Sequence, residues 1–400
     1  MENYDFDRIV ERRGTDCVKW DGMERDFGRT DLLPFWVADM DFETPDFIRK
    51  ALAERLAHPV YAYSLAPESY WESIIWWEKR LHGWEISRDS LTYIPGIVKG
   101  IGMVLQCFTQ PGDGVVIQPP VYHPFRLVPQ GMGREVLYNP LLPDGESYRM
   151  DFAGLEEICA GRKPKVLILS NPHNPGGIAW SKGTLAKVAD ICNEYGVLVV
   201  SDEIHADMPL FGHEIHSFAT VSEAAAMNSI CFGAPTKTFN IAGLVSSFAV
   251  VADPEIRNKF FSFLRAGELN DPTFIATTAT RAAFSVEGDE WRRQMLHYVE
   301  GNIDYMDSYL KKNIPSIKAL RPEASFLVWL DCRGIGLDQK ALADLFINGA
   351  HLALNDGTMF GQGGEGHMRF NVGCPRALLR EALERLGKAL SAWFPGMVVD

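Results

Sequence analysis

The 400-residue sequence contains no pair of cysteines at Cys-x-x-Cys spacing, and its seven cysteines are odd in number and scattered. This pattern fits neither a disulfide framework nor a zinc site, so we expect reduced thiols and no bound metal. The sequence also lacks an apolar run of the roughly 18 residues that a membrane span needs, and its first ten residues do not resemble a secretory signal. We therefore expect a cytoplasmic protein without a membrane partner.

Positive charge is also scarce. Lysine and arginine total 39 against 52 aspartates and glutamates, which gives a net charge of −13. A field of this sign repels the phosphate backbone, so nucleic acid is not an expected partner. Any anionic ligand must therefore be held by local groups. The length favours two domains, or one large domain with a smaller one attached.

The middle of the chain has the pattern of an α/β fold. The segments 165–170 and 196–201 are short apolar runs without polar alternation, which is typical of strands buried on both faces of a parallel sheet. A helix is predicted between them at 182–195, and this order forms a right-handed crossover. Further strands are predicted at 91–94, 114–118, 229–232 and 244–251.

After about residue 290 the pattern changes to that of a smaller α+β unit. A long helix is predicted at 291–312, strands at 325–330 and 367–371, and a closing helix at 377–393. The first 45 or so residues contain few periodic stretches, so we expect them to wrap over another part of the molecule.

Two loops beside predicted strands have compositions suited to ligand binding. The segment 95–102, with glycines at 96, 100 and 102, opens a predicted helix at 98–108, where an anion could approach free backbone N–H groups. Taken alone, this segment fits an ordinary strand-to-helix turn better. The segment 170–177 contains two Asn-Pro steps, which make a rigid loop that could hold an asparagine amide against a planar ligand. A structural turn is the alternative.

Two further segments carry charges beside apolar runs. Asp202 emerges from the buried strand at 196–201 and requires a cationic partner, which could be a nearby lysine or arginine or a protonated ring nitrogen of a cofactor. Lys237 lies in a short loop between apolar segments, where partial burial would lower its pKa and free its amine for a Schiff base. A lone lysine is normally a solvated surface residue. The order of all four segments favours the functional interpretation.

These four segments, in this order, resemble the fold-type I pyridoxal 5′-phosphate (PLP) enzymes of the class I/II aminotransferase superfamily over essentially the whole chain. The segments 31–42, 202–205, 237–243 and 369–375 resemble the MalY/PatB group of cystathionine β-lyases, also called C–S lyases. Typical aminotransferases carry tyrosine where His205 stands and arginine where Val245 stands. These two departures favour the lyase group.

The resemblance implies a large PLP-binding domain at 46–289, with a mostly parallel sheet flanked by helices. It also implies a small domain made of 1–45 and 290–400. The implied activity is β-elimination from L-cystathionine or a related cysteine S-conjugate, giving a thiol, pyruvate and ammonia. An aminotransferase is the first alternative, and a ligand-binding protein that has lost turnover is the second.

Carried over residue by residue, the resemblance makes Lys237 the Schiff-base lysine and Asp202 the partner of the cofactor's pyridine nitrogen. Asn174 would bind the ring hydroxyl with His205 nearby, and Tyr122 would stack on the ring. Two of these residues keep alternatives: His205 could be an ordinary hydrogen-bonded residue at a strand end, and Tyr122 could serve core packing.

The phosphate would be bound by the backbone N–H groups of Ile97 and Val98 and the hydroxyl of Thr236, a position where serine is common. Tyr63 would reach the phosphate of the neighbouring subunit, which implies a homodimer with shared active sites. Here the usual Phe-Gly-Tyr is Tyr-Ala-Tyr at 61–63.

The substrate's α-carboxylate would be held by Arg369, with Asn174 and Tyr63 also facing the substrate. Pairing of Arg369 with a nearby acid is the alternative. The segment 354–360 lacks the tyrosine usual in the group, which leaves the preference for the substrate side chain open.

Overall fold

A computed structural model describes residues 4–394. The strands, in chain order, are β1 (Leu33–Pro34), β2 (Leu91–Ile94), β3 (Gly114–Ile117), β4 (Glu135–Tyr138), β5 (Leu142–Asp144), β6 (Ser147–Arg149), β7 (Val166–Ser170), β8 (Leu198–Asp202), β9 (Ser229–Gly233), β10 (Ser247–Val250), β11 (Lys318–Leu320), β12 (Leu327–Asp331), β13 (Leu352–Ala353), β14 (Asn355–Asp356) and β15 (His367–Asn371).

The α-helices are α1 (Val18–Asp21), α2 (Met23–Phe27), α3 (Asp46–Leu56), α4 (Glu68–His82), α5 (Ile97–Phe108), α6 (Pro124–Gly131), α7 (Phe152–Arg162), α8 (Lys182–Glu194), α9 (Glu223–Met227), α10 (Pro254–Ala266), α11 (Phe274–Ala283), α12 (Val286–Asn313), α13 (Gln339–Asp344) and α14 (Arg376–Trp393). Short 3-10 helices lie at Arg88–Ser90, Phe218–Thr220, Ala242–Leu244, Arg333–Ile335 and Gly357–Phe360, and a π-helical turn lies at Leu345–Gly349.

The large sheet has seven strands in the order β2-β10-β9-β8-β7-β3-β4. Strand β10 pairs antiparallel with both of its neighbours, and every other pairing is parallel. The predicted α/β fold with a mostly parallel sheet is therefore confirmed. All residues of the central strands β7 and β8 are buried, as their continuous apolar sequences predict.

Helices cover both faces of this sheet. Along β8, Val199 packs with side chains of α7 and α8, whereas Val200 packs with side chains of α5 and α10. Successive strand residues thus enter opposite layers. This arrangement buries the sheet interior and leaves the carboxyl ends of its parallel strands for a ligand site.

Two predicted boundaries are wrong by several residues. The strand predicted to start at 244 begins at Ser247, because the preceding residues form a 3-10 turn and Val245 has a φ of 51°. The helix predicted to start at 291 begins at Val286, because Ser285 caps it by accepting a hydrogen bond from the N–H of Gly288.

The C-terminal part forms a four-stranded antiparallel sheet, ordered β11-β12-β15-β14. Helix α12 packs against β11, and α14 packs against α12. The N-terminal segment wraps over other parts of the molecule, as predicted: β1 pairs with β13, and Phe6 packs edge-on against Trp291 with ring centroids 5.6 Å apart. The domain boundaries at 46 and 290 stay predictions. Within residues 4–394, no helix combines the length and apolarity that a membrane crossing requires.

Candidate active site

A cavity of about 200 Å³ lies where β7 and β8 end, and it brings together eight of the predicted site residues. Those eight are Ile97, Val98, Tyr122, Asn174, Asp202, His205, Thr236 and Lys237. They come from five separate stretches of sequence. The parallel sheet explains their meeting, because strand ends that point the same way place their loops side by side.

One end of the cavity is formed by the start of α5. Gly96 precedes this helix with a φ of 103°, a conformation that favours glycine. The N–H groups of Ile97 and Val98 belong to the first helical turn, which has no intrahelical acceptors for them. With the buried Thr236 on the same wall, this end offers the donors and the positive helix end that a phosphate needs.

Asn174 is held in the rigid loop that follows β7. Its backbone N–H donates to Oγ of Ser170 at 3.0 Å, and its backbone carbonyl accepts the N–H of Tyr122 at 3.1 Å. Its side-chain oxygen accepts a hydrogen bond from Arg369. These contacts leave the amide nitrogen of Asn174 as the group that can donate into the cavity.

Asp202 is a buried carboxylate at the end of β8. Burial raises its pKa to about 7, although the N–H of Ile204 donates to Oδ1 at 3.1 Å. Across residues 4–394 no lysine or arginine nitrogen lies within 4.0 Å of this carboxylate. Within the described residues, Asp202 therefore has no lysine or arginine as an ion-pair partner. The site is suited to a cationic ring nitrogen.

Lys237 projects into the same cavity from the loop after β9. Its Nζ donates to the carbonyl of Ala38 at 2.5 Å. Burial lowers its pKa to about 8, with Asp39 acting in the opposite direction. The predicted desolvated lysine is thus present, and its lowered pKa leaves about a tenth of the amine neutral at pH 7, far more than for an exposed lysine.

Arg369 lies beside the cavity on β15 and is buried without an acidic partner among residues 4–394. Its guanidinium donates to Asn174 Oδ1 at 3.1 Å, to the carbonyl of Trp36 at 2.7 Å and to Asn355 Oδ1 at 2.6 Å. The Nε atom has no hydrogen-bond partner. An uncompensated buried cation with a free donor is suited to a carboxylate ligand.

His205 and Tyr122 complete the walls. His205 is buried, and its Nδ1 lies 3.0 Å from Oγ of Ser325. Burial lowers its pKa to about 3, so the ring is neutral at physiological pH. Tyr122 is half-buried and faces the cavity, so it is not confined to core packing.

Tyr63 is the one predicted site residue that lies apart from the others. Its side chain is 110% exposed relative to the reference value and does not line the cavity. Tyr63 therefore does not contribute to the cavity of its own chain, and its predicted contact with a neighbouring subunit stays a prediction.

Several residues of the site could not be found from the sequence. Ala38 and Trp36 act through backbone carbonyls, Asn355 holds Arg369, and Ser325 contacts His205. In the sequence, the segment 31–42 is distinguished only by its resemblance to the lyase group. A backbone carbonyl leaves no mark in the choice of residue type, so its role is visible only in three dimensions.

The described residues fit PLP. The buried Asp202 lacks a cation, Lys237 supplies a partly neutral amine, and the start of α5 supplies phosphate donors. These groups lie on one cavity of suitable size for the ring and its phosphate.

The family profile named "Aminotransferase class I and II" matches residues 30–386, and the chain belongs to this family. Within it, the chain is 42% identical over 386 residues to cystathionine beta-lyase PatB of Bacillus subtilis (strain 168), a match that covers 96% of this chain and 100% of PatB. With a further match to protein MalY, this confirms the resemblance to the MalY/PatB group.

Among solved structures with the same fold, one is named cystalysin and another is named as an aminotransferase. Cystalysin from Treponema denticola, which contains PLP, is 33% identical with a TM-score of 0.94, covering 98% of this chain and 100% of that chain. A PLP-bound protein from Clostridium difficile 630, named as a candidate aminotransferase, is 38% identical with a TM-score of 0.94, covering 97% and 100%. The fold is therefore the fold-type I architecture predicted from the sequence.

Proposed function

We propose that this protein is a PLP-dependent C–S β-lyase acting on L-cystathionine or related cysteine S-conjugates. The observation that carries the proposal is one cavity that is lined by Lys237 and lies beside Arg369, which has no ion pair among the described residues. The chain is also similar over 96% of its length to cystathionine beta-lyase PatB. The amine of Lys237 suits imine chemistry with an amino acid, and the guanidinium of Arg369 suits the carboxylate of that amino acid.

The cofactor, when bound, supplies an electron sink for the substrate's α-carbon. Asp202 would hold a proton on the ring nitrogen, because a carboxylate in a buried site strongly favours a facing cation. Asn174 and His205 would hold the ring oxygen, and Tyr122 would stack on the ring. Ile97, Val98 and Thr236 would hold the phosphate.

Lys237 moves the proton. Its neutral amine would accept the proton from the substrate's α-carbon, and the lowered pKa increases the share of the amine that is neutral for this task. The carbonyl of Ala38 holds Nζ by a hydrogen bond and limits the directions in which the amine can move. Lys237 is therefore the proposed catalytic residue.

Arg369 orients the substrate by its α-carboxylate. Asn174, Trp36 and Asn355 fix the guanidinium plane, so the free donor edge has one direction. With this end fixed, the substrate's Cα–H bond would be presented to the amine of Lys237.

The overall reaction consumes one water. The Cβ–S bond breaks and its electrons leave with sulfur, which takes a proton to give the thiol. The remaining three-carbon fragment loses its nitrogen as ammonium and takes the oxygen of water to give pyruvate. No external oxidant, reductant or second amino acid is required.

The test is a substrate panel with two readouts. L-Cystathionine, S-methyl-L-cysteine and L-cysteine are incubated with PLP-loaded protein, and pyruvate and free thiol are measured without any 2-oxo acid. We expect equal amounts of thiol and pyruvate from at least one sulfur substrate. No pyruvate from any of them would exclude the lyase.

An aminotransferase is the second candidate, because Lys237, Asp202 and Arg369 would also serve amino-group transfer. Transfer to an added 2-oxo acid that exceeds pyruvate release would favour it. A ligand-binding protein that has lost turnover is the third candidate. A colourless purified protein, whose visible spectrum is unchanged by Lys237→Ala, would favour that alternative.

We also propose a homodimer with shared active sites, in which Tyr63 reaches the phosphate bound by its partner. The support is a short segment whose large apolar side chains are exposed: Val60, Tyr61, Tyr63 and Leu65. Exposed apolar clusters of this kind mark interaction surfaces. A cytoplasmic location is proposed on the seven free thiols.

A further inference from the structure

The imidazole of His205 lies between the cavity and a serine from the last third of the chain. His205 lines the cavity, and its Nδ1 lies 3.0 Å from Oγ of Ser325, which is 120 residues further along. Both side chains are buried. Because Nδ1 is engaged by the serine, Nε2 is the ring nitrogen that remains for the cavity.

Ser325 is fixed by its backbone. It has a φ of 75°, and its N–H donates to the carbonyl of Met208 at 2.9 Å. Its neighbour Ala324 donates to the carbonyl of Gly177 at 3.0 Å and forms an antiparallel bridge with Pro209. Glycine would adopt this left-handed conformation more easily than serine. The backbone conformation at position 325 favours glycine, yet the residue there is a serine with a hydroxyl group.

A neutral imidazole has one donor nitrogen and one acceptor nitrogen. His205 is neutral because burial, Lys237 and Arg369 all lower its pKa. Asp202 is the acidic side chain among the residues that line the same cavity. If the hydroxyl of Ser325 donates to Nδ1, the ring proton must be on Nε2, and the imidazole becomes a donor toward the cavity. The opposite tautomer would present a lone pair there.

We propose that Ser325 is a positioning residue whose hydroxyl donates to Nδ1 of His205 and so holds the tautomer that donates from Nε2 to the ionised ring oxygen of the cofactor. A donor is the polarity that an ionised oxygen requires. The proposal rests on the proposed cofactor, but it does not depend on the substrate or on the type of reaction.

The first test is a pH titration of the visible absorption of the PLP-loaded protein. A donor to the ring oxygen favours its ionised form and lowers the midpoint of the cofactor's colour change. We expect Ser325→Gly and Ser325→Ala each to raise that midpoint by about one pH unit, which corresponds to about a tenfold change in proton affinity.

Thermal stability separates this role from a structural one. Ser325→Gly is expected to match or exceed the melting temperature of the original protein, because glycine fits the φ of 75°, whereas Ser325→Ala is expected to melt lower. The proposal is supported if both variants raise the optical midpoint while Ser325→Gly keeps or raises the melting temperature and Ser325→Ala lowers it. A midpoint that stays in place in both variants overturns it.

The second test observes the tautomer directly. In the PLP-loaded protein with ¹⁵N-labelled histidine, the His205 signals, assigned by their loss in His205→Phe, are expected to show the proton on Nε2. In Ser325→Gly the signals should shift toward a mixture of tautomers. In the His205→Phe background, Ser325→Gly should no longer move the optical midpoint. A proton on Nδ1 in the original protein, or a further shift in the double variant, overturns the proposal.

Neither measurement requires turnover. A protein that binds PLP and shows the serine-dependent tautomer, but releases no pyruvate, would refute the lyase and leave this inference standing. If the protein releases pyruvate, but its optical midpoint is the same in both serine variants, the lyase stands and the role of Ser325 is refuted.

Discussion

Nη1 of Arg369 donates a hydrogen bond to Oδ1 of Asn174 at 3.1 Å, so one contact joins the proposed carboxylate-binding group to the proposed cofactor-binding group. The arginine comes from β15 of the smaller sheet, and the asparagine comes from the loop after β7 of the large sheet. The orientation of the amide is fixed by the guanidinium. A change at Arg369 is therefore expected to affect both ends of the site.

Arg369→Lys is expected to lower kcat/KM by about 100-fold or more. Lysine keeps the charge but cannot reproduce the planar fork that contacts Asn174, Asn355 and the carbonyl of Trp36. Steady-state kinetics with the best sulfur substrate is the measurement. The exposed arginine of the pair Arg333–Asp331 provides the matched control, and Arg333→Lys should leave kcat/KM within about twofold. Equal kinetics in both variants would refute the role of Arg369.

Lys237→Ala is expected to reduce lyase activity by at least about 1,000-fold and to leave PLP removable by dialysis, because both the imine link and the proton acceptor are lost. Retained visible absorbance after dialysis and the rate of pyruvate release are the two readouts. Lys187→Ala, on an exposed position of α8, is the control and should keep both. Activity that survives in the first variant would remove Lys237 from the mechanism.

Asp202→Asn is expected to stabilise the cofactor-free protein above pH 7 while abolishing turnover. Burial raises the pKa of Asp202 to about 7 from 3.8, so the folded state binds its proton more tightly than the unfolded state does. The resulting stability is present below about pH 4 and is lost as pH rises through about 7, at a cost on the order of a few kcal/mol. Asparagine is never ionised, so the variant does not lose stability as the pH rises through 7.

Melting temperatures of the cofactor-free forms at pH 5 and pH 8 measure this effect. The difference between the two pH values should be smaller in Asp202→Asn than in the original protein. Asp190→Asn, at an exposed position on α8, should leave the difference unchanged. Identical pH responses of the Asp202 variant and the original protein would contradict the assigned burial effect.

Mixed dimers test the shared active site. Lys237→Ala and Tyr63→Ala are each expected to be nearly inactive, but unfolding and refolding them together should restore about a quarter of the original activity. Half of the dimers are then mixed, and one of the two sites in each mixed dimer is intact. The control pairs Lys237→Ala with Asp202→Asn, whose changes damage both sites of every mixed dimer. Recovery no greater than in the control would refute the role of Tyr63 across subunits.

The sequence is informative about this site where chemistry follows a buried strand. Asp202 is predicted because an apolar run ends in a polar residue, and the loop that holds Asn174 is predicted because two Asn-Pro steps follow another apolar run. A parallel sheet gathers such strand ends on one edge. Lys237 carried no such mark of its own and was selected by its order after the other segments. The resemblance to a known family then supplied the roles that spacing alone could not.

Contacts over long sequence separations were not predictable in this way. The carbonyl of Ala38 meets Lys237 across 199 residues, and Ser325 meets His205 across 120. Neither pairing produces a periodic pattern, and one of them uses a backbone atom that every residue possesses. Tyr63 illustrates a second limit, because the partner that it was predicted to touch belongs to another copy of the chain.

The position of Ala38 near the start of the chain and of Arg369 near its end has a consequence for folding. Lys237 gains its carbonyl contact from a segment that precedes every strand of the large sheet, whereas the guanidinium beside Asn174 comes from a strand that follows all of them in the chain. A nascent chain can form the large sheet before this arginine leaves the ribosome, but it cannot complete the pocket. Substrate binding therefore reports on the assembly of the smaller sheet beside the large one, and not only on the folding of the cofactor-binding sheet.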